Sequence, residues 1–325
     1  MTTTQPERVT NSASTVANVL ARVQPRQIEA NSAVLLPFDE SGAISYSELA
    51  THIERTATAG LRPCVNMDTG YVNLLTADER RQVLEVTQGV MAGRSFIAGA
   101  FIEGQEGHPL ELYRREVATI QRYGGIPIIF QSTPLKSMSD EEVVALYRQI
   151  AQDCDQMIAF ELGQMFAPFG IIYSLEVVRG LMETPQIIGM KHSSLSREQE
   201  WTRLALRDSI RPDFKVYTGN DLAIDMIMYG SDYLLGISTF APEKFAERDR
   251  LWANGNPAFY ELNDLLQYLG QLAFRPPTPA YKHSAAQFLH LCGLISTDKT
   301  HPRNPTRPDS DVAILRDIAE RLGMI

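Results

Sequence analysis

Only six of the 30 basic residues in this 325-residue chain are lysines, and one of them, Lys191, closes the apolar run PQIIGMK. A lysine at the end of a buried strand loses hydration, which disfavours its ammonium form and lowers its pKa. A neutral amine in an apolar pocket is the nucleophile that attack on a carbonyl requires. The competing reading is a lysine that caps the strand end or pairs with a carboxylate. The other lysines are placed less well: Lys215 begins a strand, Lys244, Lys282 and Lys299 fall in the C-terminal tail, and Lys136 sits in a loop among polar neighbours. Glu103 in FIEGQEGHP shares a loop with His108, and a histidine and a carboxylate so placed could do acid–base work or form an ordinary surface pair.

These residues need elements that point them at one place. Short apolar runs suited to buried parallel strands occur at Ala33–Pro37, Arg62–Met67, Phe96–Ile102, Ile126–Thr133, Gln156–Leu162, Gln186–Lys191, Phe214–Thr218 and Tyr233–Ser238. Helical patterns separate them, opened by Thr76 with Glu79, Ser139 with Glu142 and Ser196 with Gln199, each pair spaced as a capping box. Eight strands alternating with helices predict a closed α/β barrel of the (β/α)8 TIM type, whose reacting groups sit at the C-terminal strand ends. Neither GxGxxG nor a P-loop follows a strand, which argues against a nucleotide-binding open sheet. After Pro242 the strands stop, and Pro242–Asn254, Phe259–Leu272, Pro279–Cys292 and Asp309–Leu322 read as a helical appendage. The expected organisation is an N-terminal mobile arm over 1–24, a barrel over 25–240 and a C-terminal helical region over 241–325.

Composition excludes several classes. A formal net charge of −9 argues against nucleic acid. Cys64, Cys154 and Cys292 are too few and scattered for a disulfide framework or a CxxC metal site, and fit a reducing cytoplasm. His108, His192, His283, His290 and His301 lack ligand-like spacing, so no metal and no cofactor is expected. No apolar stretch reaches the roughly 18 residues that span a membrane, and MTTTQPERVTNSAST lacks the apolar core of a secretion signal.

At Lys191 the pattern becomes specific. IIGMKHSS resembles the strand-six motif of the dihydrodipicolinate synthase and N-acetylneuraminate lyase family, whose lysine forms a Schiff base with a 2-oxo acid. AVLLPFDESGAISYSELATHIERTATAG, MDTGYVNLLTADERRQVLE, VYTGNDLAIDMIMYGSDYLLGIS and PPTPAYKHSAAQFLHLCGLI resemble other family segments in the right order, covering residues 25–300. The resemblance implies a lysine-imine lyase, aldolase or dehydratase acting on a small carbonyl substrate, a 2-oxo acid or a sugar derivative, with a homotetramer or homodimer as its assembly. It implies Lys191 as the nucleophile, Glu161 or Asp68 as the proton carrier, and Thr69, Gly70 and Gly219 around the substrate's polar end. Ile237 is expected to line the floor, and Phe160, Lys136 and Glu103 to line the substrate site.

This chain departs from the family at instructive places. The family's threonine pair falls on Asp68 and Thr69, and a carboxylate at Asp68 would repel a 2-oxo acid unless protonated or paired. The plainer role for Asp68 is a turn aspartate before Gly70. The strand-five tyrosine falls on Phe160 or, with a one-residue slip, on Glu161 in MIAFELGQ, whose plainer role is to pair an arginine. Leu135 and Lys136 replace two further tyrosines, and Pro168 stands where an arginine grips aspartate semialdehyde. The resemblance therefore implies an activity other than lysine-biosynthetic dihydrodipicolinate synthesis. Altered hydrolytic or isomerising chemistry on a sugar, or non-catalytic metabolite binding with Lys191 as an ion-pair partner, stay open as alternatives.

Overall fold

The computed structural model describes residues 16–325. Eight parallel strands close on themselves in chain order: β1 Ala30–Ala33, β2 Arg62–Val65, β3 Ile97–Ala100, β4 Ile126–Ile129, β5 Met157–Leu162, β6 Ile187–Ser193, β7 Lys215–Thr218 and β8 Asp232–Leu235. Closure removes both sheet edges, so the strands can be short and buried on both faces. The interior is filled by Ala33, Cys64, Ile97, Ile128, Ile158, Phe160, Tyr217 and Leu234, among others. A second, larger apolar layer lies between the outer strand faces and the helices, with Met157, Ala159, Ile187 and Met190 facing it. The expected (β/α)8 barrel is the fold.

The helix starts follow from local chemistry. Thr76 and Ser139 each accept from the backbone N–H three residues on, while Glu79 and Glu142 reach back to the cap N–H, closing both capping boxes. At Ser196 only the forward half forms, from Gln199 N–H to Ser196 Oγ. After β7 the chain makes a 3-10 helix, Ile224–Tyr229, instead of a full crossover helix.

The expected first strand is displaced. The ladder uses Ala30–Ala33, and the apolar run Val34–Leu36 continues beyond it as buried loop. Of the expected N-terminal arm, residues 1–15 lie outside the described residues. Its remainder packs down: Val16–Leu20 is helical, Val19 is buried, and Arg22 pairs with Asp208 at 2.8 Å. The appendage is built from helices Pro242–Ala253, Ala258–Ala273, Tyr281–Leu291 and Asp311–Arg321. The turn joining the second and third crosses the barrel mouth. Buried Arg307 staples that turn, its guanidinium donating to the carbonyls of Ala273, Arg275, Pro276 and Pro277. Among the described residues no helix is long and apolar enough to cross a membrane.

Candidate active site at the barrel mouth

Strand parity decides what enters the barrel, because successive side chains alternate between faces. On β5, Phe160 and Leu162 point inward and Glu161 outward; on the paired β6, Lys191 and Ser193 point inward and His192 outward. The inward set opens into a cavity of about 140 Å³ at the C-terminal ends of the strands. Its wall is largely apolar, and the polar groups on it include Asp68, Thr69, Lys191, Ser193, Asp221 and Tyr281.

Lys191 is the centre of this arrangement. Its amine lies 4.6 Å from the centre of the Phe160 ring, and no hydrogen bond or ion pair holds it among the described residues. Burial pushes its pKa down from the ordinary value of 10.5, and the negative potentials of Asp221 and Asp68 oppose that shift only in part. The Phe160 ring face mildly favours a cation, so it also suits the positive charge of a protonated imine. Gly219 makes the room: a Cβ there would come within 2.6 Å of Lys191 Cε and 2.1 Å of Ser193 Oγ.

At the cavity, Thr69, Tyr281, Asp68 and Lys282 form a hydrogen-bonded chain. Thr69 Oγ1 lies 2.8 Å from the Tyr281 hydroxyl, which donates to Asp68 Oδ2 at 2.9 Å. Lys282 donates to both Asp68 oxygens at 3.1 Å. The Asp68 side chain is 54% exposed, but that exposure opens into the concave mouth. Desolvation there would raise its pKa; Lys282 and Tyr281 outweigh it, and the carboxyl stays below its usual range. Tyr281 is the converse case, since burial, then Asp68, hold its phenol protonated well above 10. Stacking on Phe274, with ring centres 4.2 Å apart, fixes its ring.

Asp221, in the turn after β7, also lines the cavity. Its Oδ1 accepts from Ile237 N–H at 2.7 Å, yet burial raises its pKa to about 6. A carboxyl of that kind exchanges a proton near neutrality.

Several sequence expectations need correction. Glu161 is fully buried outside the barrel. It accepts from His192 Nδ1 at 2.6 Å, from Arg203 Nε at 2.9 Å and from the Tyr173 N–H at 2.7 Å. Burial pushes its pKa up, and His192 and Arg203 overcome that and lower it, so it is an ionised structural anchor with no route to the cavity. Ser194 Oγ lies 2.6 Å from His192 Nε2, which completes a serine–histidine–glutamate chain. That hydroxyl also accepts from Ser196 N–H and does not line the cavity, so the chain pins the end of β6. Glu103 accepts from the N–H and hydroxyl of Thr133 and ties two loops together. Lys136 donates to Pro168 O at 2.7 Å and thereby holds a wall residue without lining the wall itself. Ile237 faces the outer apolar layer, and only its N–H serves the site. Gly70 spends its N–H on Met67 O inside the turn. Asp68, Thr69, Phe160, Lys191 and Gly219 do meet at the cavity. Asp221 and Tyr281 were missed as site residues. Asp221 carried a signal, being at the C-terminal end of a barrel strand, whereas Tyr281 reaches the mouth only through the packing of the appendage.

Comparison with known proteins agrees with this geometry at the level of fold and family. Residues 103–301, more than half of the chain, match the family described as a protein of unknown function, DUF993. The chain is 27% identical to the 4-hydroxy-tetrahydrodipicolinate synthase of Bartonella quintana over 81% of this chain and 88% of that one. It is 24% identical to a DapA-like lyase of Pyrobaculum arsenaticum over 90% of this chain and 98% of that one. Among solved structures, dihydrodipicolinate synthase from Thermotoga maritima superposes with a TM-score of 0.79 at 18% identity, covering 92% of this chain and 99% of the other. YagE of E. coli K12, determined in complex with pyruvate, gives 0.77 at 16% identity, covering 92% and 99%. The chain belongs to the DUF993 family and is a divergent relative of the dihydrodipicolinate synthase and N-acetylneuraminate lyase proteins.

Proposed function

We propose that this protein is a lyase of the imine-forming aldolase type, with Lys191 as its nucleophile. One observation carries the reading: a half-buried, desolvated amine with a lowered pKa and no hydrogen-bond or ion-pair partner among the described residues faces a cavity sized for a small molecule. An unpaired lysine in such a place costs stability, and reaction with a carbonyl is the use for which a neutral amine is suited.

In this reading the Lys191 nitrogen adds to the substrate carbonyl carbon, and the carbonyl oxygen takes up protons and departs as water. The resulting protonated C=N bond withdraws electrons. A carboxylate, Asp221, takes the hydroxyl proton of the departing fragment, which leaves as a carbonyl compound, while the electron pair of the broken bond two atoms from the nitrogen moves into the imine and leaves a neutral enamine. Protonation of that carbon and hydrolysis by water then release product and regenerate the amine. The Thr69–Tyr281–Asp68 chain supplies the proton donor: the phenol stays protonated, and its carboxylate partner stays ionised to take up or return a proton. Asp221, with a pKa near neutrality, is the second carrier. This pair takes the place of the tyrosine that the Phe160 position lacks. Pro168 in the wall, where the family resemblance expects an arginine, supports a substrate other than aspartate semialdehyde.

The test is reductive trapping. Cyanoborohydride with a panel of ketones, aldehydes and 2-oxo acids is expected to leave a stable mass increment that peptide mapping assigns to Lys191. Lys191→Met is expected to abolish the increment while the far-UV CD spectrum is kept. Labelling that is spread over surface lysines and unchanged in Lys191→Met would overturn the assignment.

A further inference from the structure

Resting on the imine reading, the composition of the cavity wall goes further and selects a class of substrate. We infer that Lys191 condenses with an uncharged ketone or aldehyde carrying an aromatic or branched apolar tail, and that the site discriminates against 2-oxo acids.

The charges come first. The charged side chains on the wall, among the described residues, are Lys191, Asp68 and Asp221, and no arginine lines it. Lys282, the nearby cation, is committed to both oxygens of Asp68. A 2-oxo acid would carry its carboxylate on the carbon bonded to the lysine nitrogen, in a cavity whose wall already holds two protein carboxylates. At an effective dielectric constant of about 20, one like charge roughly 5 Å away lowers occupancy on the order of a hundredfold, before the partial relief that Lys282 gives to Asp68. The two hydroxyls nearest along the strands and turn are already engaged, Thr69 with Tyr281 and Ser193 with Gly219 O at 3.3 Å, which leaves the neutral Thr278 and Asn73 side chains on the wall and no second cation to receive the anion.

The tail comes second. Phe101, Phe130 and Phe160 are buried, and with Phe169 they form one edge-to-face array, with ring centres 5.6 Å apart for Phe101 and Phe130, 5.1 Å for Phe130 and Phe160, and 6.2 Å for Phe101 and Phe169. Leu162 and Pro168 extend this wall. Edge-to-face packing is the arrangement in which a further ring is best received. A polyhydroxylated tail against it would give up hydration without gaining hydrogen bonds. The carbonyl end is polar and anionic, the tail end dry.

The experiment compares phenylacetone with phenylpyruvate, which adds only a carboxylate, and with pyruvate and dihydroxyacetone. Rates of cyanoborohydride labelling at Lys191 are divided by those of Nα-acetyl-lysine with the same carbonyl, which removes intrinsic reactivity. Phenylacetone is expected to label Lys191 at least about tenfold faster than the other three. Asp221→Asn is expected to raise the phenylpyruvate rate several-fold more than it raises the phenylacetone rate. If Lys191 is labelled, but by phenylpyruvate or pyruvate as fast as by phenylacetone, the substrate class is wrong while the imine chemistry stands. If labelling favours dihydroxyacetone, the aromatic array does not bind the tail, and the inference falls in the same way. If none of the four labels Lys191, the imine reading itself fails and takes this inference with it.

Discussion

Two faces of the same pair of strands make opposite use of ionisable side chains. On the outer face of β5 and β6, Glu161 and His192 lie side by side, and the carboxylate is bonded by His192, Arg203 and the Tyr173 N–H. On the inner face, one residue earlier on each strand, Phe160 and Lys191 are paired in register, and the lysine nitrogen has a ring face beside it and no hydrogen-bond partner among the described residues. Glu161 is fully buried, and the half-buried Lys191 is desolvated by the cavity wall around it. Outside, charge is kept by supplying partners; inside, partners are withheld and the charge itself is disfavoured. The first arrangement stabilises the barrel, and the second leaves a reactive group at its mouth.

This contrast can be broken from either side. Glu161→Ala strips Arg203 and His192 of their shared partner in a dry layer, and breaking a buried pair of this kind costs about 3–5 kcal/mol. Urea unfolding is expected to register that loss, while the fraction that stays folded still labels Lys191. Lys191→Met is the mirror image: it removes a group with no bond to lose, so stability is expected to stay within about 1 kcal/mol and labelling to vanish. A Glu161 variant of wild-type stability would show that the outer network does not hold the strands. A smaller effect is expected of Gly219→Ala, whose new methyl group must displace Lys191 Cε and Ser193 Oγ. Overpacking of this sort costs about 1–3 kcal/mol. Labelling is expected to slow by roughly 10–100-fold, as it does when reacting atoms are misplaced by about an ångström, and unchanged rates would mean that the amine has room the geometry denies it. Subtler still is Tyr281→Phe, which is expected to leave labelling within a few-fold of wild type, because imine formation needs the amine. The enamine step should suffer instead. Solvent deuterium incorporation next to the carbonyl of a labelling ketone is expected to fall by about 10²–10⁴, the usual worth of a positioned acid or base.

The same contrast explains which parts of the molecule were legible beforehand. Alternation along PQIIGMKHSS was enough to send Lys191 inward and His192 outward, since parity is a local property of a strand. Capping boxes at Thr76 and Ser139 were readable for the same reason: every interacting atom lies within four residues. The first strand was misplaced because Val34–Leu36 is buried as loop as thoroughly as a strand would be, and apolarity alone does not mark where ladder bonds end. Glu161 was left between two roles because a one-residue slip reverses the face on which a side chain lands. Tyr281 and Lys282 come from more than 200 positions along the chain from Asp68. They meet it only after the appendage has closed over the mouth, and no local pattern encodes that meeting.

The finest test of the inner face is titration. Lys191 attacks only as the free amine, so its labelling rate rises with pH until its lowered pKa is passed. Asp221, when ionised, stabilises the ammonium and opposes that lowering. In Asp221→Asn the rate profile is therefore expected to move to lower pH. Because the Asp221 carboxyl itself titrates at about 6, wild type and variant should differ above that pH and converge below it, where the wild-type carboxyl is already neutral. Stability gives the matching sign. Asp221 binds its proton more tightly folded, at about 6, than at the ordinary value of 3.8, so its contribution is fully present below 3.8 and is lost as pH rises through 6. Urea midpoints of Asp221→Asn relative to wild type are expected to improve between pH 5 and pH 7.5. Parallel midpoints over that range would mean that Asp221 ionises as an ordinary carboxylate, and the inner face would then hold a fixed negative charge where a proton carrier is proposed.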